Sequence, residues 1–308
     1  MSVPLLDWRD YATDPEGFSA ALGQTCRETG FFLLRGHGIA PALIEDVFDL
    51  ASGFFAQPHQ AKAPLSIAQS PHNRGWAQLG AEGLDDSSGQ RDRKEAFNIG
   101  LELSPEDPRV LAGEPFRGVN LWPEIEGFRT TMLSYFTEVW ALGVDLLQPV
   151  ARDLGLSPST FPPHFTAPMA TLRLLHYPAA SGTEGEIGAG AHTDYGALTL
   201  LATDGAPGLQ VRPRGGDWQD VPHVPGAFIV NIGDCLMRWT NDVYVSTPHR
   251  VLPPPRPRQS VAFFLDPNPE SIIAALPGTG RAKYPPVTGA AYLRSRLEAT
   301  YEKKGPPA

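Results

Sequence analysis

The run Ala191-His192-Thr193-Asp194-Tyr195-Gly196-Ala197-Leu198-Thr199-Leu200-Leu201 puts an imidazole and a carboxylate two residues apart in an apolar, strand-like setting. On a strand, residues i and i+2 face the same way, so His192 and Asp194 are expected to converge on one point. The candidate for a third ligand is His249, in Ser246-Thr247-Pro248-His249-Arg250-Val251, which comes after Asp194 with 54 residues between them, Tyr195 to Pro248. Two imidazoles and one carboxylate on one face suit Fe(II) and leave coordination positions open. H-x-D alone is a weak signal, because most such pairs are hydrogen-bonded or solvated surface groups. The residues beyond His249 strengthen it. Eight residues later, after Arg250 to Pro257, come Arg258-Gln259-Ser260 and then Val261-Ala262-Phe263-Phe264-Leu265. Arg258 and Ser260 thus share one face at the start of an apolar strand. A planar guanidinium fork beside a hydroxyl suits a carboxylate.

Further motifs surround these: Val3-Pro4-Leu5-Leu6-Asp7, Gly30-Phe31-Phe32-Leu33-Leu34 running into Gly36-His37-Gly38-Ile39, Lys94-Glu95-Ala96-Phe97, Tyr177-Pro178 and Asn231-Ile232-Gly233-Asp234. Together with the His192, His249 and Arg258/Ser260 segments, they make the chain resemble the isopenicillin N synthase-like branch of the Fe(II)/2-oxoglutarate-dependent dioxygenases. The resemblance spans nearly the whole length. It implies Fe(II) held by His192, Asp194 and His249, and 2-oxoglutarate chelating that iron with its distal carboxylate at Arg258 and Ser260. Tyr177 matches a position that donates a hydroxyl hydrogen bond to the cosubstrate, whereas His37, between two glycines, matches a histidine that is no ligand. O2 is the other cosubstrate, and ascorbate the reductant in assays. The implied reaction is hydroxylation or desaturation of a small molecule with release of succinate and CO2. Isopenicillin N synthase and aminocyclopropane carboxylate oxidase share the fold and the Arg/Ser pair without that cosubstrate, so an Fe(II) oxidase, cyclase or ethylene-forming enzyme is the alternative. A non-catalytic jelly-roll metal-binding or sensor protein is a second. Strand alternation points Phe264, and Val251 two residues beyond His249, toward the metal chamber. Phe97 and Asn98 are further candidates for the pocket wall.

Composition narrows the partners. A formal charge of −9 leaves no basic field for nucleic acid or an anionic membrane, so a small molecule is expected. Cys26 and Cys235 are the only cysteines and allow no disulfide framework. With no basic-then-apolar N-terminal segment and no uncharged apolar span, the cytoplasm is the expected location. Nothing in the chain fixes the oligomeric state.

Positioning these residues requires helices and a β core. Residues 14–29 form a helix capped by Asp14 with Pro15 first, and residues 41–56 a second. Residues 66–93 are polar and glycine-rich, expected to be a mobile cover with Arg91 or Arg93 facing substrate. A long helix over 124–154 carries an apolar stripe against which a β core packs. Beyond it, short apolar runs at 171–177, 197–202, 208–211, 228–232, 235–239, 249–252 and 260–265 alternate with Gly, Pro, Asn and Asp turns. The fold class is therefore mainly β with flanking helices, a double-stranded β-helix (jelly roll) core with a helical N-terminal portion. His192 and Asp194 are expected near one strand end, His249 from the opposite sheet, and a final helix over 289–301 outside the roll. Residues 1–165 form the N-terminal helical and mixed region and 166–308 the core with its C-terminal helix, as one functional unit.

Overall fold

Asp14 starts the first long helix, Pro15–Glu28: its carboxylate accepts the Gly17 N–H at 2.9 Å while Pro15 takes the first helical position. The computed structural model describes residues 3–84, 91–183 and 185–302, with side chains up to 298. The other main helices are Pro41–Phe55, Phe128–Asp153, the short Asp234–Trp239, and Gly289–Glu302. The strands are β1 (Leu5–Asp7), β2 (Phe31–Arg35), β3 (Gly75–Ala77), β4 (Glu95–Gly100), β5 (Thr171–Tyr177), β6 (Ala189–His192), β7 (Leu198–Thr203), β8 (Leu209–Val211), β9 (Gln219–Asp220), β10 (Phe228–Ile232), β11 (His249–Val251), β12 (Arg258–Leu265), β13 (Ile272–Ile273) and β14 (Val287–Thr288).

Eight of these make one sheet in the order β1-β2-β10-β7-β12-β5-β4-β3, and four make a second, β6-β11-β8-β9. Only β1 and β2 run parallel in the large sheet. The two sheets face each other as a jelly roll. Alternation along β12 sorts its side chains: Val261, Phe263 and Leu265 join the main core under the helices, while Ala262 belongs to the smaller apolar cluster between the sheets. The long helix Phe128–Asp153 packs on the outer face, where Phe136 meets Phe263 edge-on at 5.0 Å between centroids. Its Gly143 makes that approach possible, since a Cβ there would lie 3.0 Å from Leu265. Cys26 and Cys235 are buried free thiols. Among the described residues, no helix is long and apolar enough to cross a membrane.

Four expectations need correction. Residues 235–239 are helix: a five-residue apolar run carries no period that separates strand from helix. Gly233 packs so close that a Cβ would lie 2.1 Å from the Gly196 carbonyl oxygen, and the next two N–H groups, of Asp234 and Cys235, donate to the carbonyls of Asp194, Tyr195 and Gly196. His249 comes from the same sheet as His192, because β11 pairs with β6 and not across the roll. The C-terminal helix does more than pack outside, since Leu293 and Leu297 reach the space between the sheets. Finally, the 66–93 segment is not without structure or apolar anchors: Ile67–Gln69 is a 3-10 turn, β3 pairs with β4, and Trp76 is buried. Residues 85–90 of that segment lie outside the described residues.

Candidate metal centre

His192 ends β6 and His249 opens β11, and the two are direct rung partners with ring centroids 4.3 Å apart. Asp194 lies two residues past the end of β6, so a turn, not a continued strand, brings its carboxylate round. Its Oδ1 stands 3.8 Å from His192 Nε2 and 3.6 Å from His249 Nε2. One ligand atom from each residue lies within 4.8 Å of the other two, the only such grouping of His, Cys, Asp and Glu among the described residues.

The surroundings fix which atoms face inward. The Gly190 carbonyl accepts from His192 Nδ1 at 2.7 Å, and the Thr247 carbonyl from His249 Nδ1 at 3.3 Å. Each Nε2 is thereby left with its lone pair toward Asp194. Asp194 Oδ2 accepts from Thr199 Oγ1 and from Asn231 Nδ2, both at 2.7 Å, leaving Oδ1, on the side of the imidazoles, without a hydrogen bond from the described residues. Thr199 and Asn231 are themselves rung partners on β7 and β10. Burial, then the neighbouring His249, pull the His192 pKa down to about 4, so the ring is neutral at pH 7. Burial opposes charge on Asp194, but the two imidazoles with Asn231 and Thr199 outweigh it and hold the carboxyl below its ordinary value. A neutral His192 ring beside an ionised Asp194 is the protonation state a divalent cation needs.

Arg258 opens β12 and is 1% exposed. Its guanidinium lies over the ring of Tyr177, its rung partner on β5, at 4.9 Å, and Nη1 donates to Ser260 Oγ at 3.2 Å. Nε has no partner, and no carboxylate among the described residues pairs with this cation. A buried charge without a counter-charge is costly, so this pocket fits an incoming carboxylate. The triad, Arg258, Ser260, Tyr177, Val251 and Phe264 all line one cavity of about 200 Å³ between the sheets.

Asn98 lines it too, but Phe97 does not. Neighbours on a strand point to opposite faces, and Phe97 packs under the helices against Phe54 and Phe128, at 4.7 and 5.8 Å between centroids. Arg91 and Arg93 also lie outside the cavity: Arg91 donates to the Gly80 and Ala81 carbonyls and Arg93 pairs with Glu186. His37 bonds the Gly226 carbonyl, away from the site. Thr199 and Asn231 both fall in segments quoted from the sequence, but with no role attached to either, though a polar side chain inside the apolar run Phe228–Ile232 is itself a sign of a buried partner.

Two family models match the chain, the non-haem dioxygenase in morphine synthesis N-terminal model over residues 3–125 and the 2OG-Fe(II) oxygenase superfamily model over 168–267. The 2-oxoglutarate-Fe(II) type oxidoreductase hxnY of Emericella nidulans is 36% identical, covering 97% of this chain and 90% of its own. Clavatol oxidase claD of Penicillium crustosum is 33% identical over 97% of this chain and 96% of its own. Among solved structures, a full-length Neurospora crassa protein in complex with alpha-KG superposes with a TM-score of 0.86 at 33% identity, covering 97% of this chain and 96% of that one. With both family models, such relatives and a two-sheet fold around a His-Asp-His group in common, the chain belongs to the 2OG-Fe(II) oxygenase superfamily.

Proposed function

We propose that His192, Asp194 and His249 hold the Fe(II) of this oxygenase, that Arg258 and Ser260 receive the distal carboxylate of 2-oxoglutarate, and that a small molecule is hydroxylated or desaturated against Val251, Phe264 and Asn98. The observation that carries the reading is the convergence of His192, Asp194 and His249, within 4.8 Å of one another, in a cavity that also holds the unpaired Arg258. When bound, iron, 2-oxoglutarate and O2 supply the oxidation, the cosubstrate leaving as succinate and CO2. The chain supplies geometry. Gly190 and Thr247 set the imidazole tautomers, Thr199 and Asn231 aim Asp194 Oδ1, and Tyr177 supports the Arg258 guanidinium from below. Apolar walls from both sheets exclude water from the reacting centre. Two reduced, buried thiols suit an enzyme working in the cytoplasm.

The test is Arg258→Gln. It should keep the iron content and lose a buried, charge-assisted contact worth roughly 2–5 kcal/mol, raising the half-saturating 2-oxoglutarate concentration by about thirtyfold to several thousandfold. A shorter 2-oxo acid without the distal carboxylate should be much less affected. Wild-type enzyme that oxidises its substrate at full rate with no 2-oxo acid present would reassign Arg258 and Ser260 to the substrate's own carboxylate, as in the oxidases.

A further inference from the structure

Charge balances along one wall of the cavity and fails to balance at its far end. On the wall, Arg173 donates to Glu82 Oε2, Lys94 Nζ lies 3.5 Å from the same oxygen, and Lys94 also pairs with Asp92, so signs alternate and cancel. Arg74 has no such partner. It is 2% exposed and lines the cavity, yet no carboxylate among the described residues pairs with it. Nη1 donates to the His72 carbonyl at 3.0 Å, Nε has no partner, and no hydrogen bond engages Nη2 among the described residues. The guanidinium sits where a side chain at position 100 would be: a Cβ on Gly100 would stand 1.9 Å from Nη2. Beside it Asn98 gives Nδ2 to the Asn73 carbonyl at 3.3 Å, and its Oδ1 is left without a donor. Burial, and then Arg117, pull the Arg74 pKa down to about 10, which still leaves it charged at pH 7.

A buried cation of this kind demands an anion as Arg258 does, but it cannot share the same one. Asn98 and Gly100 are rung partners of Arg173 and Thr171, whereas Arg258 is the partner of Tyr177. Four to six residues of β5 separate the two levels, about 13–20 Å at the usual strand rise. A five-carbon diacid, under about 10 Å long, does not reach both. We propose that the primary substrate is an organic acid whose carboxylate is bound by Arg74, at the end of the cavity away from Arg258. This rests on the cavity being the substrate site of the oxygenase. Arg74 would then set specificity by holding the acid group, so that the remainder of the molecule extends toward the metal.

The test uses the anaerobic holoenzyme loaded with Fe(II) and 2-oxoglutarate. The probes are a panel of aliphatic and aromatic carboxylic acids, 3-phenylpropanoate among them, each paired with its primary amide. Binding is followed by calorimetric titration, and succinate release is followed once O2 is admitted. Acids should bind and stimulate succinate release where their amides do not. Arg74→Gln should weaken the best acid by about thirtyfold or more, the effect of truncating one buried charge partner. Arg74→Lys, which keeps the charge and loses the fork, should fall between. Both variants should keep wild-type iron content and half-saturating 2-oxoglutarate, the reverse of Arg258→Gln. The proposal is overturned if no acid binds, if amides bind as well as acids, or if Arg74→Gln weakens acid and amide alike while lowering the thermal midpoint, which would make Arg74 a structural residue. Intact iron and 2-oxoglutarate binding alongside any of these outcomes leaves the oxygenase reading standing, whereas wild type that binds neither removes both.

Discussion

Asp194 carries the only negative charge in the triad, and its two oxygens do different work: Oδ2 is tied to Thr199 and Asn231, while Oδ1 is left for the cation. Asp194→Ala should therefore abolish iron binding with little loss of fold. Asn231→Ala should weaken it by about 10–100-fold, the usual consequence of removing an outer partner of a metal ligand. Iron titration of the purified variants measures both, and an Asn231→Ala protein with wild-type affinity would show that Thr199 alone suffices to orient the carboxylate. The triad is legible in the sequence because three ligand types stand in a recognisable order and spacing. What Thr199 and Asn231 do is not, because nothing in the chain says that both reach Asp194 until β7 and β10 are paired. Phe97 misleads for a simpler reason: it and Asn98 are adjacent on β4, so only one of them can face the cavity.

At the scale of elements, the C-terminal helix does more than its position in the chain suggests. Arg296 Nη2 donates to Asp234 Oδ2 at 2.7 Å, the same oxygen accepts Thr193 Oγ1 at 3.1 Å, and the Arg296 guanidinium lies 5.0 Å from the Tyr195 ring centre. The helix is thus fastened to the turn that presents Asp194, with Leu293 and Leu297, four residues apart and so on one face, closing the cavity. Arg296→Ala should loosen that closure without removing a ligand. The expected result is unchanged iron content with a several-fold rise in succinate formed in the absence of substrate, because a less enclosed site suppresses side reactions less well. Unchanged substrate-free turnover would mean the helix holds its place without Arg296. Helices with a full apolar stripe, such as Phe128–Asp153, can be read from the chain. The final helix cannot be placed that way, since its few apolar residues do not say what they cover, and the short helix at Asp234–Trp239 owes its form to carbonyls nearly forty residues earlier.

On the scale of the whole molecule, short strands and turn residues make the jelly roll readable, but not the division of strands between its sheets. Consecutive strands β6 and β7 lie in different sheets, and that choice depends on pairings remote in sequence. One consequence is that Asp266, just past the end of β12 in the large sheet, is buried close enough to Asp194, on the turn that follows the small sheet's β6, to feel its charge. Asp266 is 7% exposed, accepts no hydrogen bond among the described residues, and has its carboxyl pKa raised to about 7, first by burial and then by Asp194. A folded-state pKa above that of the unfolded chain means that, between about pH 4 and pH 7, folded iron-free protein holds a proton that the unfolded chain has released. Stability contributed by this group is therefore fully present below about pH 4 and is lost as pH rises toward about 7, by an amount on the order of a few kcal/mol. Asp266→Asn has no carboxyl there to ionise and stays neutral throughout. The thermal midpoint of iron-free wild type should fall relative to Asp266→Asn as pH is raised through this range, and Fe(II), by neutralising Asp194, should narrow the gap at pH 7. A difference between the two proteins that stays constant from pH 4 to pH 7 would rule out Asp266 as the source.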